Sequence, residues 1–167
     1  MDLSADDGKI IDFMEYKDRR DRQEEVSSNN IDTVETEFQG RLDLTTEEAE
    51  MIIFCLRLGR EYFRYELEVT EFPDETIQSQ KDFETANELI DRIQFEVLKL
   101  HLDNNFILTL STAELAFILD CLEMIRNAVK HGIDVFQVEE RDKEHYLSWL
   151  EDTYTYLLEV YEMWRLY

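Results

Sequence analysis

The chain has 167 residues, with 40 Asp and Glu against 17 Lys and Arg, a formal charge of −23. That length fits one domain able to bury a sizeable core, and a composition 44% hydrophobic and 12% aromatic is too apolar for a wholly disordered acidic chain. The charge argues against direct contact with nucleic acid or an anionic membrane surface, since phosphate is repelled over roughly a Debye length.

No run of about 18 apolar residues occurs, so no membrane span is expected. The acidic start, MDLSADDGK, has no apolar core and does not read as a secretory signal. Two cysteines do not make a disulfide framework, and a cytoplasmic location is expected. Four Gly and one Pro fall far below ordinary usage. So few breakers point to long helices joined by few loops.

Residues 1–40 read as an N-terminal arm. Ile10, Ile11, Phe13, Met14 and Tyr16 form an apolar knot, and a charge run follows from Lys17 to Glu25. The expectation is a short helix or a flexible arm. Val34, Thr36 and Phe38 alternate, which suits a brief extended segment before Gly40.

Residues 41–167 read as a single helical domain made of two copies, 41–105 and 106–167. At a constant offset of 66, Leu42, Leu44, Thr46, Glu48, Ile52, Cys55, Leu56 and Arg60 match Leu108, Leu110, Thr112, Glu114, Ile118, Cys121, Leu122 and Arg126. Each copy opens with Leu-x-Leu, a short extended lead-in. Thr45 and Ser111 then stand three residues before Glu48 and Glu114. That is capping-box spacing, in which hydroxyl and carboxylate satisfy the orphan amides of a helix start.

A second helix follows in each copy. Phe83, Ala86, Ile90, Ile93, Val97 and Leu100 are spaced 3,4,3,4,3, and Leu147, Leu150, Tyr154, Leu157, Tyr161 and Trp164 repeat that spacing at an offset of 64. Phe72 and Phe136 correspond at the same offset. The pattern predicts helices over 46–69, 77–103, 112–131 and 139–166, with Pro73 breaking the chain after the first and Gly132 ending the third as a C′ residue. The expected fold is all-α: a four-helix bundle of two tandem helical hairpins, packed about a pseudo-two-fold axis.

Little in this pattern carries chemistry. Cys55 and Cys121 hold equivalent positions beside apolar stripes and read as small buried hydrophobes; a two-fold relation would let the thiols approach. Among His101, His131 and His145, only Asp142-x-x-His145 approaches the Glu-x-x-His spacing of carboxylate-bridged metal sites in bundles. Glu47, Glu50, Glu88 and Asp91 can be drawn as a magnesium set resembling helical nucleoside-triphosphate pyrophosphohydrolases. Glu47 falls in a first turn, however, and no Lys or Arg cluster follows to hold a triphosphate. Gly-rich phosphate loops and Ser/His/Asp orders are missing. No catalytic, cofactor or metal residue is therefore assigned.

The fourth predicted helix carries more. Beside its seam runs a second row, Tyr146, Trp149, Thr153, Tyr156, Val160, Met163 and Tyr167, spaced 3,4,3,4,3,4. Tyr and Trp are amphipathic and enriched in interface hot spots. Tyr146, Trp149, Tyr156, Met163 and Tyr167 are thus the candidate partner-binding residues; the first alternative is that the arm, through Ile10, Ile11, Phe13 and Met14, covers this row within the same chain, and the second is a homodimer contact. Charge is spread evenly: 5 bases against 12 acids in 1–40, 7 against 16 in 41–105, and 5 against 12 in 106–167. The expectation is a non-enzymatic acidic binding protein that occupies a basic or nucleic-acid-binding surface of a protein partner, as an inhibitor, immunity protein or nucleic-acid mimic does. The alternatives are a homo-oligomeric helical adaptor, charged only for solubility, and the magnesium-dependent pyrophosphohydrolase.

Overall fold

A computed structural model describes residues 37–99 and 105–167. The apolar knot at Ile10–Tyr16, the alternation at Val34 and Thr36, and His101 lie outside the described residues. Within them the elements run β1 (Gln39–Thr45), α1 (Thr46–Val69), α2 (Pro73–Lys99), β2 (Asn105–Ser111), α3 (Thr112–Lys130) and α4 (Glu140–Trp164). The fold is the expected all-α bundle of two hairpins, with a small sheet added.

Both capping boxes form. Glu48 N donates to Thr45 Oγ1 at 3.1 Å while Thr45 N donates to Glu48 Oε2 at 2.8 Å. Ser111 and Glu114 repeat this at the same two distances. Each box satisfies two orphan amides, and loss of a cap hydroxyl costs about 1 kcal/mol.

The Leu-x-Leu lead-ins do more than precede helices. They pair as an antiparallel two-stranded sheet, Gln39 opposite Ser111 through Thr45 opposite Asn105. Gly40, Leu42 and Leu44 point inward, as do Phe106, Leu108 and Leu110, while Arg41, Asp43, Ile107 and Thr109 face solvent. This is period-two alternation with one face on a core. At the centre, Leu42 faces Leu108, its own counterpart in the other copy. The pairing maps onto itself under the offset of 66, so the pseudo-two-fold axis passes between these two leucines.

A two-stranded sheet is marginal alone; this one is held by the helices beneath it. Leu44, Ile52, Leu56, Ile93, Leu110, Leu115, Ile118 and Leu122 are fully buried in one core. Of the predicted α2 seam, Ala86, Ile90 and Ile93 are buried, and Phe83 and Val97 pack on the core half-buried. In the α4 seam Leu150, Leu157 and Trp164 are buried. Gly40 permits one close approach: a Cβ there would overlap the Trp164 indole.

The hairpin connections differ from expectation and from each other. Pro73 does not separate the helices but opens α2, a first-turn position where its missing N–H costs nothing. The α1–α2 connection is therefore only residues 70–72. In the second copy, Gly132 adopts φ +79° and stops α3 early. Gln137 also takes a left-handed φ, +51°, and α4 begins at Glu140, leaving 131–139 as the link. That longer path carries Phe136 inward, where it stacks on Phe54 of α1 at 5.3 Å between ring centroids and lies 5.3 Å from Tyr146 of α4. Its counterpart, Phe72, stays in solvent, 69% exposed.

Polar crosslinks follow the duplication too. Arg126 of α3 reaches Glu151 of α4 through two hydrogen bonds of 2.8 Å. At the equivalent place, Arg60 Nη1 of α1 donates to Asn87 Oδ1 of α2 at 3.1 Å. One copy carries an ion pair where the other carries a neutral acceptor.

Candidate interaction face

The second row of α4 is placed in three ways. Thr153 and Val160 turn inward and are buried. Tyr156 is half-buried, and its hydroxyl donates to the Asp43 carbonyl of β1 at 2.7 Å. That bond caps the outer edge of the sheet and ties the C-terminal helix to the first strand. Tyr146 and Trp149 are half-buried near the start of α4, 5.7 Å apart, with His145 6.3 Å from Trp149. Met163 and Tyr167 are exposed at the far end; Tyr167 stacks on Phe38 at 5.7 Å, and Phe38 meets Trp164 edge-on. The five candidate residues thus form no single patch. Tyr146 and Trp149 stand together, Met163 and Tyr167 lie at the C-terminal end, and Tyr156 serves an internal contact between them.

An aromatic line runs from Trp149 through Tyr146 and Phe136 to Phe54. Phe54 also walls a groove of about 420 Å³ between α1 and α2, lined by Glu50, Ile53, Arg57, Gln94, Val97 and Leu98. Spacing along α4 made Tyr146 and Trp149 legible from sequence. The groove was not legible, because its walls come from two helices about 40 residues apart in sequence. The signal that could have flagged it is Phe54, apolar where the second copy has Asp120.

Charge remains the dominant property of the surface. Among the described residues 12 Lys and Arg face 28 Asp and Glu, so at least 16 carboxylates have no cation of their own. The solvent stripe of α4 shows this directly. Glu144, Ser148, Asp152, Thr155 and Glu159 are all exposed. By helical rise, Glu144, Asp152 and Glu159 stand about 12 Å and about 10 Å apart along the axis. Beside them Glu151 is held by Arg126, and that hydrogen bond keeps its carboxyl below the usual carboxylate range. The Arg126 guanidinium also lies 3.9 Å over the Tyr154 ring.

The remaining candidates for chemistry are dispersed. Cys55 and Cys121 are buried free thiols, and burial pushes the Cys55 pKa up, which favours the unreactive protonated form. Cys121 packs against α1 at Gly59, where a Cβ would sit 3.0 Å from its sulfur. His131 caps α3, with Nδ1 2.7 Å from the Asn127 carbonyl. Glu47, Glu50, Glu88 and Asp91 are all exposed. Among the described residues no three His, Cys, Asp or Glu side chains gather as a metal site would require. No helix among them is long and apolar enough to cross a membrane.

Compared with known proteins, the chain matches no protein-family model, no curated protein and no solved structure.

Proposed function

We propose that this is a non-enzymatic acidic binding protein that occupies a basic surface, of the kind that binds nucleic acid, on a protein partner in the cytoplasm. The observation that carries this reading is the surplus of 16 carboxylates over cations on a body built of packed helices. A rigid body holds its carboxylates at fixed spacing, as a nucleic acid holds its phosphates. The resulting field raises the on-rate toward a cationic partner. Tyr146 and Trp149, half-buried near the start of α4, supply amphipathic contact area of the type that slows dissociation.

The test is competition. A basic DNA-binding domain loaded with labelled duplex is titrated with the full chain at low and at near-physiological salt. Release of the duplex, weakening as salt rises, is the expected result. Retention of the duplex at every salt concentration, or a salt-independent effect, overturns the reading. Light scattering on the free chain reports the competing possibility, a homo-oligomeric scaffold. A stable dimer that Trp149→Glu dissociates would favour that scaffold.

A further inference from the structure

The tip of the first hairpin carries four large apolar side chains in solvent: Tyr65 at 60% exposure, Val69 at 52%, Phe72 at 69% and Ile77 at 58%. Tyr65 and Val69 are one turn apart on α1, Phe72 follows in the 70–72 connection, and Ile77 lies in the second turn of α2. Single exposed apolar residues are ordinary, whereas a concentration of them marks an interaction site. The second copy shows that this exposure is not inherent to the repeat. There the residue equivalent to Phe72, Phe136, is folded between Phe54 and Tyr146.

The electrostatics of the same tip select a cation. Residues 61–75 contain Glu61, Glu66, Glu68, Glu71, Asp74 and Glu75 against one base, Arg64. Arg64 pairs with Glu61, and Glu66 accepts from Tyr62 and Ser79 at 2.6 and 2.9 Å. The last turn of α1 holds no base. Carboxylates at Glu66 and Glu68 therefore sit at the negative end of the helix dipole, an arrangement that a nearby cation relieves.

We infer that the tip of the first hairpin docks a Lys/Arg-rich protein segment whose apolar anchors seat on Tyr65, Val69, Phe72 and Ile77. The inference rests on the acidic-binder reading and adds a second apolar contact, on the first repeat, to the Tyr146 and Trp149 pair of α4. Charge complementarity favours this occupant over a second copy, which would bring another 23 negative charges to the same surface.

The experiment uses two fluorescently labelled peptides of equal Lys content. One carries Leu on a helical face and the other carries Ser at those positions. Anisotropy titrations with the full chain should show the Leu peptide binding about tenfold or more tightly than the Ser peptide. Phe72→Asp should abolish that difference, with its melting temperature unchanged because the side chain is exposed, and Ile107→Thr, at an exposed apolar position of β2 away from the tip, should leave it intact. Ile77→Ser provides a second, milder variant with the same expected direction. Preserved discrimination in both Phe72→Asp and Ile77→Ser overturns the docking surface. Equal binding of the two peptides to the unaltered chain overturns it as well, yet leaves the acidic-binder reading standing. Binding of neither peptide at low salt removes both. A dimer of the free chain that Phe72→Asp dissociates assigns the tip to a second copy and likewise overturns the inference.

Discussion

In the first repeat the chain crosses from α1 to α2 within residues 70–72 and leaves Phe72 in solvent; in the second it travels residues 131–139 and folds Phe136 against Phe54 and Tyr146. Yet the second repeat is the shorter one in sequence: from matched positions on its first helix to matched positions on its second it has two residues fewer. Its connection is longer because Gly132 releases α3 early and α4 begins late. Connection length is thus set by where helices stop, not by residue count. The consequence is asymmetric exposure on a duplicated frame. One hairpin covers its aromatic residue from within the chain, and the other presents it outward beside six carboxylates.

The largest expected effect tests the symmetric part of this comparison. Leu44 and Leu110 are equivalent, and both are fully buried. Leu44→Ala and Leu110→Ala should each lower unfolding free energy by about 3 kcal/mol. Denaturant titrations giving costs that differ by more than about 1 kcal/mol would break the pseudo-symmetry of the core. The asymmetric part is sharpened by a second pair. Phe136→Ala should cost about 2 kcal/mol through lost ring contacts, whereas Phe72→Ala should stay within about 0.5 kcal/mol.

The smallest effect distinguishes the crosslinks. Arg126 donates to an ionisable Glu151, and Arg60 donates to a neutral Asn87. The hydrogen bond from Arg126 lowers the Glu151 pKa. A depressed carboxyl pKa contributes stability that is present above the unfolded value and is lost as pH falls through the folded one. Because Glu151 is exposed, the contribution is at most about 1 kcal/mol. Glu151→Gln should therefore flatten the decline in melting temperature between about pH 5 and about pH 3, making the second hairpin resemble the first. An unchanged slope would show that the pair contributes nothing measurable.

Much of this architecture was legible in the residues. Capping boxes are local, so Thr45, Glu48, Ser111 and Glu114 announced two helix starts, and 3,4 spacing announced the seams. The strand pairing was not visible. Leu-x-Leu is too short to identify a partner, and the partner lies 66 residues away. The α4 row was visible as a row, but its fate was not. Periodicity places Tyr156 and Thr153 on one helix face without saying that Thr153 is buried and that the Tyr156 hydroxyl reaches the Asp43 carbonyl of β1. Phe72 and Phe136 were recognised as counterparts, while their opposite exposure depended on the backbone of the two connections.

By itself the sequence determined the charge of −23, the duplication, the four helices and their buried stripes. These follow from composition and from contacts between residues within a few positions of each other. The tertiary structure alone decided which apolar residues remain outside. That outcome depends on how far each connection reaches and which helix lies beneath it, a non-local geometry that no spacing rule encodes.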